Sequence, residues 1–377
     1  MPEHTDIAEA LERIALPPVK GYLSTGSTLM DLAISNQYPG GVGIGRITQI
    51  FGDESTAKTV LVQEVLGAAQ RAGGHAILED AERTLDFWRT NLFGLSTGEW
   101  GTNAEHLEKA EALRTIDKKK TGTALADAVE VCPMFTYRRP HSIEQLFDDE
   151  IGEALTLIAK KKIQAPVCIG VDSVSALPAE EELTKRLDEG SYRMGKARID
   201  SAGFRKYITP MADLGLTIIA IDQTRDAVGA PGYGPKKTVS GGHAIEFYSS
   251  TRVQLSKAAT ILNEYKQPIG VVIKFVVVKN KLGPPFREGR LHVLFDIGVD
   301  DVTANLEWLK EHVIPEMKSP FGCKGAWFNW GEEKIGQGMV QAVETVEKVN
   351  MEKDVEKEVA RIWALIHKPL DRKPRHT

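Results

Sequence analysis

The sequence is poor in cysteine and contains no long apolar run. Its three cysteines, Cys132, Cys168 and Cys323, are scattered without a C-x-x-C pair, so they predict neither a disulfide framework nor a zinc site. No segment reaches the roughly 20 apolar residues that span a bilayer. The start, MPEHTDIAEALERIA, also lacks the basic-then-apolar order of a signal peptide. We therefore expect a cytoplasmic protein without a membrane partner.

An excess of positive charge is also missing, because 47 lysine and arginine residues against 52 aspartate and glutamate residues give a net charge of −5. Proteins that neutralise many phosphates are often basic, so the total argues mildly against indiscriminate binding of polyanions. A local basic segment can override that total. The end of the chain, HKPLDRKPRHT, predicts a basic disordered tail over 366–377 that either contacts nucleic acid or only improves solubility.

The chain does contain an alternation of strand and helix patterns. With 42% hydrophobic residues it has ample apolar surface for a packed core, and its 377 residues favour two or three domains. Four short apolar runs predict strands, and those that end in polar residues suit parallel strands with functional groups at their carboxyl ends. The runs are RITQIF (46–51), HAILED (75–80), APVCIGVDS (165–173) and LTIIAIDQ (216–223).

Helical spacing occurs in TVLVQEVLGAAQRAG (59–73) and over about 192–213. STRVQLSKA (250–258) and VVIKFVVVKNK (271–281) predict a hairpin, so we expect a mixed sheet. The polar region around 95–125 is typical of a surface insertion. Together the patterns predict an α/β protein in which helices flank a twisted, mostly parallel sheet.

The segment GDESTAKT (52–59) resembles the P-loop pattern G-x-x-x-x-G-K-[ST]. In a P-loop, backbone N–H groups wrap phosphates, the lysine neutralises them, and the Ser/Thr hydroxyl binds Mg²⁺. Lys58 and Thr59 fit, but Ala57 replaces the glycine, and its methyl group could crowd phosphate or strain the loop. The loop alone leaves open a working site, a weakened site or a coincidence. Its candidate contacts are Gly52, Asp53, Glu54, Ser55, Thr56, Ala57, Lys58 and Thr59.

Two carboxylates follow predicted strands. Asp172 ends VCIGVDS, where a Walker B carboxylate would hold Mg²⁺ through water, although a strand-end aspartate that caps a turn is equally compatible. Glu82 follows HAILED, where it could orient and deprotonate an attacking water, or could belong to a solvated acidic turn. The motifs by themselves do not decide between these alternatives.

Eight stretches of the chain, taken in order, resemble the RecA family of DNA strand-exchange recombinases, specifically its bacterial type and phage relatives. They are LSTGSTLMDLAI (23–34), GRITQIFGDESTAKT (45–59), EDAERTLD (79–86), VDSVSAL (171–177), IDQTRDAVG (221–229), SGGHAIEFYSS (240–250), VVKNKLGPPF (277–286) and GAWFNWGEEKIGQG (325–338). The resemblance covers most of residues 23–340.

This resemblance implies a RecA-type P-loop core with two appended units. The implied layout is a short N-terminal polymerisation segment (1–22), an ATPase core (23–300) with DNA-binding loops at about 187–198 and 225–241, a small α/β C-terminal domain (301–365) and the basic tail (366–377).

The resemblance also implies roles in the nucleotide site. Glu82 matches the catalytic glutamate, and Asp86 matches the aspartate on the adenine side. Asp172 with Ser173 matches the Walker B end. Gln223 matches the glutamine that senses the γ-phosphate and signals to the adjoining DNA loop, so it joins Glu82 and Lys58 as a catalytic candidate.

Three further residues are implied at a filament interface. Lys279 and Lys281 match lysines that reach the neighbouring subunit's ATP, although as residues alone they could be an exposed basic strand end. Both should project from one strand face, because Asn280 separates them. Phe247 matches an aromatic that relays the ATP state between subunits, or is a core aromatic in a strand.

DNA contacts are implied in the two loops and in the C-terminal unit. Single-strand binding needs cations, stacking groups and mobility, which the second loop supplies. The loop candidates are Met194, Arg198, Arg205, Arg225, Tyr233, Lys236, Lys237, Gly241 and Gly242. Lys324 and Lys334 are implied to attract duplex DNA, and Trp327 and Trp330 are expected to pack the core of the small domain.

Several features depart from the bacterial pattern. Besides Ala57, Glu246 stands where lysine is usual, the 95–125 insertion is longer, the tail is basic, and the segment before residue 23 is short. These departures indicate a diverged member, such as a phage-encoded relative.

The resemblance implies an ATP- and Mg²⁺-dependent recombinase that forms helical homo-filaments on single-stranded DNA and exchanges strands with double-stranded DNA. Single-strand-binding and mediator proteins are further implied partners. One alternative is a ring-forming helicase motor, which would keep Lys58, Glu82 and Asp172 but has no reason to keep GAWFNWGEEKIGQG. The other is an ATP-binding filament scaffold with weak hydrolysis, which Ala57 motivates.

Overall fold

The computed structural model of the chain describes residues 18–83, 85, 90, 94–96, 135–184, 193–226, 237–239 and 243–368. For residues 193, 194, 225, 226, 237–239 and 243 it describes the backbone alone. The predicted insertion around 95–125 lies outside the described residues except at 95 and 96, as do the N-terminal segment up to 17 and the tail from 369.

The strands fall into one large sheet and two small ones. Their bounds are β1 Tyr22–Leu23, β2 Val42–Gly43, β3 Ile47–Gly52, β4 His75–Asp80, β5 Phe135–Arg138, β6 Val167–Asp172, β7 Leu216–Asp226, β8 Lys237–Val239, β9 Thr251–Leu262, β10 Pro268–Asn280, β11 Glu288–Leu294, β12 Gly298–Asp300, β13 Phe321–Lys324, β14 Trp327–Trp330 and β15 Glu333–Gln337. The four predicted core strands therefore form β3, β4, β6 and β7.

Helices cover the faces of the large sheet and build the C-terminal unit. They are α1 Thr28–Ser35, α2 Lys58–Arg71, α3 Ile143–Gln145, α4 Gly152–Ala159, α5 Glu180–Thr184, α6 Arg193–Leu214, α7 His243–Tyr248, α8 Asp301–His312, α9 Met339–Lys348 and α10 Glu352–Ile366. A π-helical stretch, Leu146–Ile151, joins α3 to α4, and short 3₁₀ turns lie at Val174–Ala176 and Pro315–Met317.

The large sheet has the order β12-β11-β10-β9-β3-β7-β6-β4-β5, and β8 pairs with β7. Pairings from β9 through β3, β7, β6 and β4 to β5 are parallel, whereas β9 to β12 are antiparallel. The predicted mostly parallel sheet and its hairpin are thus confirmed. β3, β4 and β6 are buried along their whole length, because helices cover both faces of a parallel sheet.

The register brings the carboxyl ends of the central strands together. Gly52 at the end of β3 is paired with Gln223 on β7, and Asp80 at the end of β4 is paired with Asp172 at the end of β6. Ligands of open α/β sheets bind outside the carboxyl ends of the strands. This edge of the sheet is therefore where the site is expected.

The C-terminal unit combines α8, α9 and α10 with the antiparallel sheet β13-β14-β15. It packs on α1 through the same hydrophobic core, in which Leu29, Leu306 and Trp363 are buried. Thr28 adds polar contacts, since its N and Oγ1 donate to the Asp301 carboxylate at 2.7 and 2.6 Å. The domain boundary at 300/301 stays a prediction. Among the described residues, no helix is both long and apolar enough to cross a bilayer.

Candidate nucleotide site and subunit interface

The loop between β3 and α2 contains one residue in an unfavourable conformation. Ala57, the residue before α2, has φ 60° and ψ 23°, in the left-handed region. A residue with a Cβ pays roughly 1–2 kcal/mol there, whereas glycine does not. The expectation that alanine strains this position is therefore confirmed in its geometry.

Lys58 is folded back onto the loop. Its Nζ donates to the carbonyl oxygens of Gly52 at 3.1 Å and Asp53 at 2.7 Å, and the residue is 8% exposed. Burial lowers the pKa of Lys58, and the nearby Asp172 and Glu82 carboxylates oppose that shift. A buried ammonium held by carbonyls, next to carboxylates, lies where incoming phosphate oxygens would compete for it.

Thr59 and Asp172 meet at the mouth of the loop, where Thr59 Oγ1 donates to Asp172 Oδ2 at 2.8 Å. Burial raises the pKa of Asp172 to about 6; Thr59 opposes the shift, while Glu82 and Asp80 add to it. No cluster of three or more His, Cys, Asp or Glu side chains that could hold a metal occurs among the described residues. Thr59 and Asp172 fit Mg²⁺ nevertheless, because this ion keeps waters and takes substrate phosphate oxygens alongside one or two protein ligands.

Glu82 is held beside Asp172 by both backbone and side chain. Its backbone N–H donates to the Asp172 carbonyl at 3.2 Å, and its Oε1 accepts a hydrogen bond from Ser173 Oγ at 2.7 Å. Its side chain is exposed to solvent. An exposed, oriented carboxylate next to a buried one can receive a proton from a water at the loop mouth.

The strand that carries Gln223 runs from the loop toward the predicted second DNA loop. Gln223 pairs with Gly52, and the next residue, Thr224, donates through Oγ1 to Asp53 Oδ1. Beyond it, β8 pairs antiparallel with the end of β7, with Thr224 opposite Val239. Residues 224–226 of β7 and 237–239 of β8 thus form a two-stranded stem next to the nucleotide loop.

Much of the predicted DNA-binding set lies outside the described residues. This holds for all atoms of Tyr233, Lys236, Gly241 and Gly242, and for the side chains of Met194, Arg225 and Lys237. Asp86, predicted on the adenine side of the nucleotide site, also lies outside the described residues. On α6, Arg198 and Arg205 are exposed, and Arg205 Nε donates to Tyr248 Oη at 3.4 Å.

The C-terminal lysines lie on the small sheet. Lys324 is exposed at the end of β13, and Lys334 Nζ lies over the Trp327 ring, 4.6 Å from its centroid. The expectation that Trp327 packs the core is wrong, because it is 40% exposed. Phe328, at 2%, fills that core, since adjacent residues of a strand face opposite sides.

Phe247 lies on α7 and is 70% exposed, so the alternative of a core aromatic in a strand is wrong. Lys279 contacts the same helix, because its Nζ donates to the carbonyls of Glu246 at 2.6 Å and Phe247 at 2.9 Å. Burial lowers the pKa of Lys279, and the Lys281 and Arg252 cations lower it further. Glu246 Oε1 accepts from Arg252 Nη2 at 2.5 Å. The Arg252 cation therefore balances the negative charge of Glu246, which stands where lysine is usual in the bacterial pattern.

Three polar residues near this site were missed by sequence reasoning. Gln49 on β3 and Asp222 on β7 are 0% exposed, and Arg252 on β9 is mostly buried. The available signal was a polar side chain inside an apolar strand run, as in RITQIF and LTIIAIDQ. Because polar side chains are rarely buried without hydrogen-bond partners, each such residue predicts a second buried polar residue near it.

Comparisons with known proteins agree with this geometry. A family model described as the RecA N-terminal domain matches residues 18–107 and 109–300. Protein RecA of Campylobacter jejuni subsp. jejuni is 32% identical over 320 residues, which are 84% of this chain and 77% of that protein. Protein RecA of Nitratiruptor sp. is 30% identical over 347 residues, 91% of this chain and 85% of that protein. Protein RecA of Wolinella succinogenes is 31% identical over 337 residues, which are 88% of this chain and 81% of that protein.

The match spans the large sheet, the 52–59 loop at its carboxyl edge and helix α7 with the exposed Phe247. A helicase motor that shares only the ATPase core would not account for relatives of one name along most of the chain. The chain belongs to the RecA family, the recombinases that form filaments on single-stranded DNA and exchange homologous strands.

Proposed function

We propose that the chain is a DNA-dependent ATPase in which ATP bound at residues 52–59 switches the DNA-binding state of a recombination filament. The observation that carries this proposal is the meeting of Lys58, Thr59 and Asp172 at the ends of β3 and β6, with Gln223 on the strand between them. The same strand leads toward the proposed second DNA loop, so one element would contact both the nucleotide and the DNA.

Nucleotide binding would rest on this chain's own groups. The backbone N–H groups of 52–59 would wrap the phosphates, and Lys58 would exchange the Gly52 and Asp53 carbonyls for phosphate oxygens. Thr59 would hold Mg²⁺ directly and Asp172 would hold it through water. When bound, the ion supplies charge neutralisation and orients the phosphates. Asp86 would lie beside the adenine.

Hydrolysis would depend on Glu82 as the general base. Ser173 occupies Oε1 of this carboxylate, which leaves Oε2 to take the proton of the attacking water. Gln223 would contact the γ-phosphate and report its loss along β7. Thr224 donates a hydrogen bond to Asp53 of the nucleotide loop, so movement of that loop would also displace the stem of the proposed DNA loop.

The DNA and subunit contacts complete the proposal. The loops at 187–198 and 225–241, with Arg205, would bind single-stranded DNA through cations and stacking, and Lys324 and Lys334 would attract the duplex. Lys279 and Lys281 would reach the neighbouring subunit's ATP, and Phe247 would dock on that subunit. A cytoplasmic location, with single-strand-binding and mediator proteins as partners, is part of the same proposal.

The experiment that tests the enzymatic proposal measures phosphate release with and without single-stranded DNA. Wild type should show Mg²⁺-dependent turnover that DNA stimulates, while Lys58→Ala should stay at background because the phosphates lose their cation. Lys353→Ala, which removes an exposed lysine on α10, is the matched control and should behave as wild type. DNA-independent background turnover in wild type would contradict the proposal.

The left-handed Ala57 favours one second candidate, a filament scaffold that binds ATP with weak hydrolysis. It predicts filaments in which wild type and Lys58→Ala release phosphate equally slowly. Electron micrographs with ATP and single-stranded DNA separate both candidates from a ring-forming helicase, which would give closed rings instead of helical filaments.

A further inference from the structure

A continuous chain of hydrogen bonds crosses the sheet between helix α7, which carries the exposed Phe247, and the segment that follows β6. At the helix end, Glu246 accepts from Arg252 Nη2 at 2.5 Å. Arg252 Nε donates to Gln49 Oε1 at 2.7 Å, and Gln49 Nε2 donates to Asp222 Oδ2 at 2.7 Å. The other Asp222 oxygen accepts from the Ser175 backbone N–H at 3.2 Å.

The chain continues to the nucleotide site. Ser175 Oγ lies 3.0 Å from Ser173 Oγ, and Ser173 Oγ donates to Glu82 Oε1 at 2.7 Å. Glu82 is the proposed general base, and Glu246 is the neighbour of the exposed Phe247. The side chains and the Ser175 backbone N–H between these ends therefore connect the proposed subunit contact to the proposed general base.

The links from Arg252 to Asp222 have a fixed polarity. A guanidinium only donates and a carboxylate only accepts, so the Gln49 amide must turn its oxygen to Arg252 and its NH₂ to Asp222. Burial raises the pKa of Asp222, and the bonds from Gln49 and Ser175 counter that effect. Gln49 pairs in register with Arg252 on the adjacent strand, and the Arg252 guanidinium lies 4.8 Å from the centre of the Phe51 ring. Planar, packed groups of this kind shift together, because an unpaired buried charge is costly.

We infer that Arg252, Gln49 and Asp222 are positioning residues that transmit the docking of α7 on a neighbouring subunit to the Glu82 carboxylate. The inference rests on the proposed function of Glu82 and Phe247. When α7 moves, the hydrogen bond to Glu246 displaces the Arg252 guanidinium. The displacement is transmitted through the hydrogen bonds of Gln49 and Asp222 to the 173–175 segment. Hydrolysis is thereby tied to a completed subunit contact.

The test uses full-length protein and compares DNA-free with DNA-stimulated ATP turnover. Gln49→Met replaces the amide by a side chain of similar size and removes both central bonds. We expect DNA-stimulated kcat to fall about tenfold, within the usual range of coupling between sites. DNA-free kcat and the KM for ATP should stay within about twofold of wild type, a pattern that general loss of structure would not produce. Gln63→Met is the matched control, since Gln63 is a buried glutamine of α2 outside this chain.

Glu246→Gln and Arg252→Lys test the less buried end, so the inference stays testable if Gln49→Met does not fold. Each should lower DNA-stimulated kcat, and the double variant should lose no more than the larger single loss, because one break already interrupts the chain. Full stimulation in these variants, or multiplying losses, would overturn the inference while wild-type stimulation upholds the proposed function. Absence of DNA stimulation in wild type would overturn both.

Discussion

Thr59 and Asp172 are 113 positions apart in sequence, and they are joined by a 2.8 Å hydrogen bond from Thr59 Oγ1 to Asp172 Oδ2. The parallel register of β3, β7 and β6 brings them together, because each strand ends at the same edge of the sheet. Asp172 has a raised pKa of about 6, caused mainly by burial. A cation at this point favours the ionised carboxylate, which is the form that the proposed Mg²⁺ site needs.

Asp172→Asn should stabilise the protein in the absence of Mg²⁺ and nucleotide at pH 7 to 8. The pKa of Asp172 is raised on folding, so the wild-type carboxylate contributes stability at low pH and loses it as pH rises through about 6. The variant avoids that loss, and we expect a gain of up to about 3 kcal/mol that disappears below about pH 4. Denaturation in EDTA from pH 3 to 8 measures it.

The control for this comparison is Asp213→Asn, which changes an exposed aspartate at the end of α6 and should leave the free energy of unfolding close to that of wild type. A variant of Asp172 that is less stable than wild type at pH 8 would contradict the burial argument. Its Mg²⁺-dependent turnover should be lost in any case.

Ala57→Gly should stabilise the chain and raise ATP turnover. Glycine adopts the left-handed conformation of this position without the Cβ clash, so the gain is about 1 kcal/mol after the entropy of glycine in the unfolded chain is subtracted. Ala72→Gly, at the other end of α2 with φ −79°, is the matched control and should destabilise slightly. Thermal denaturation and phosphate release give the two readouts; identical stability and turnover in Ala57→Gly would mean that the methyl group is tolerated without cost.

Glu82→Gln should lower DNA-stimulated turnover about 100-fold or more while ATP binding persists, because the amide cannot take a proton from water. Ser173→Ala should have a smaller effect of the same kind, since Glu82 loses the hydrogen bond that orients it. Binding of a fluorescent ATP analogue and phosphate release separate the two quantities. Glu264→Gln, on the exposed turn of the β9–β10 hairpin, should leave both unchanged, and an unaffected Glu82→Gln would exclude the general-base role.

Phe247→Ala should weaken filament assembly without destabilising the subunit. The side chain is 70% exposed, so its removal costs the fold little, whereas a buried aromatic anchor at an interface is often worth 2 kcal/mol or more. We expect the protein concentration needed for filaments on single-stranded DNA to rise about tenfold or more. Tyr265→Ala, 74% exposed on the hairpin turn, is the control, and equal assembly of both variants would contradict an interface role for Phe247.

Periodicity and motif order predicted the core of the fold. Residues 75–80 were predicted as a strand and form β4 with the same bounds, because a short apolar run between turns has few other ways to be buried. The helix after the P-loop, predicted at 59–73, is observed as Lys58–Arg71. Local sequence patterns are enough to predict an element where its apolar run and its flanking turn residues indicate the same bounds.

Hydrogen bonds between residues far apart in the chain could not be predicted from the sequence. Lys279 was expected to project from one face of its strand, but no sequence pattern indicated its hydrogen-bond acceptors, which are carbonyls of α7 that lie 32 and 33 positions away. The partners of Gln49 and Asp222 lie on other strands, so no local pattern identifies them. Trp327 and Phe328 differ in burial by strand phase alone, which composition does not reveal.

The most direct test of the account is strand exchange between circular single-stranded DNA and homologous linear duplex, with ATP and Mg²⁺ present. Wild type should form joint molecules with homologous duplex and none with heterologous duplex, and Lys58→Ala should form none with either. Filaments with ATP-dependent DNA binding but without joint molecules on homologous duplex would contradict the central claim.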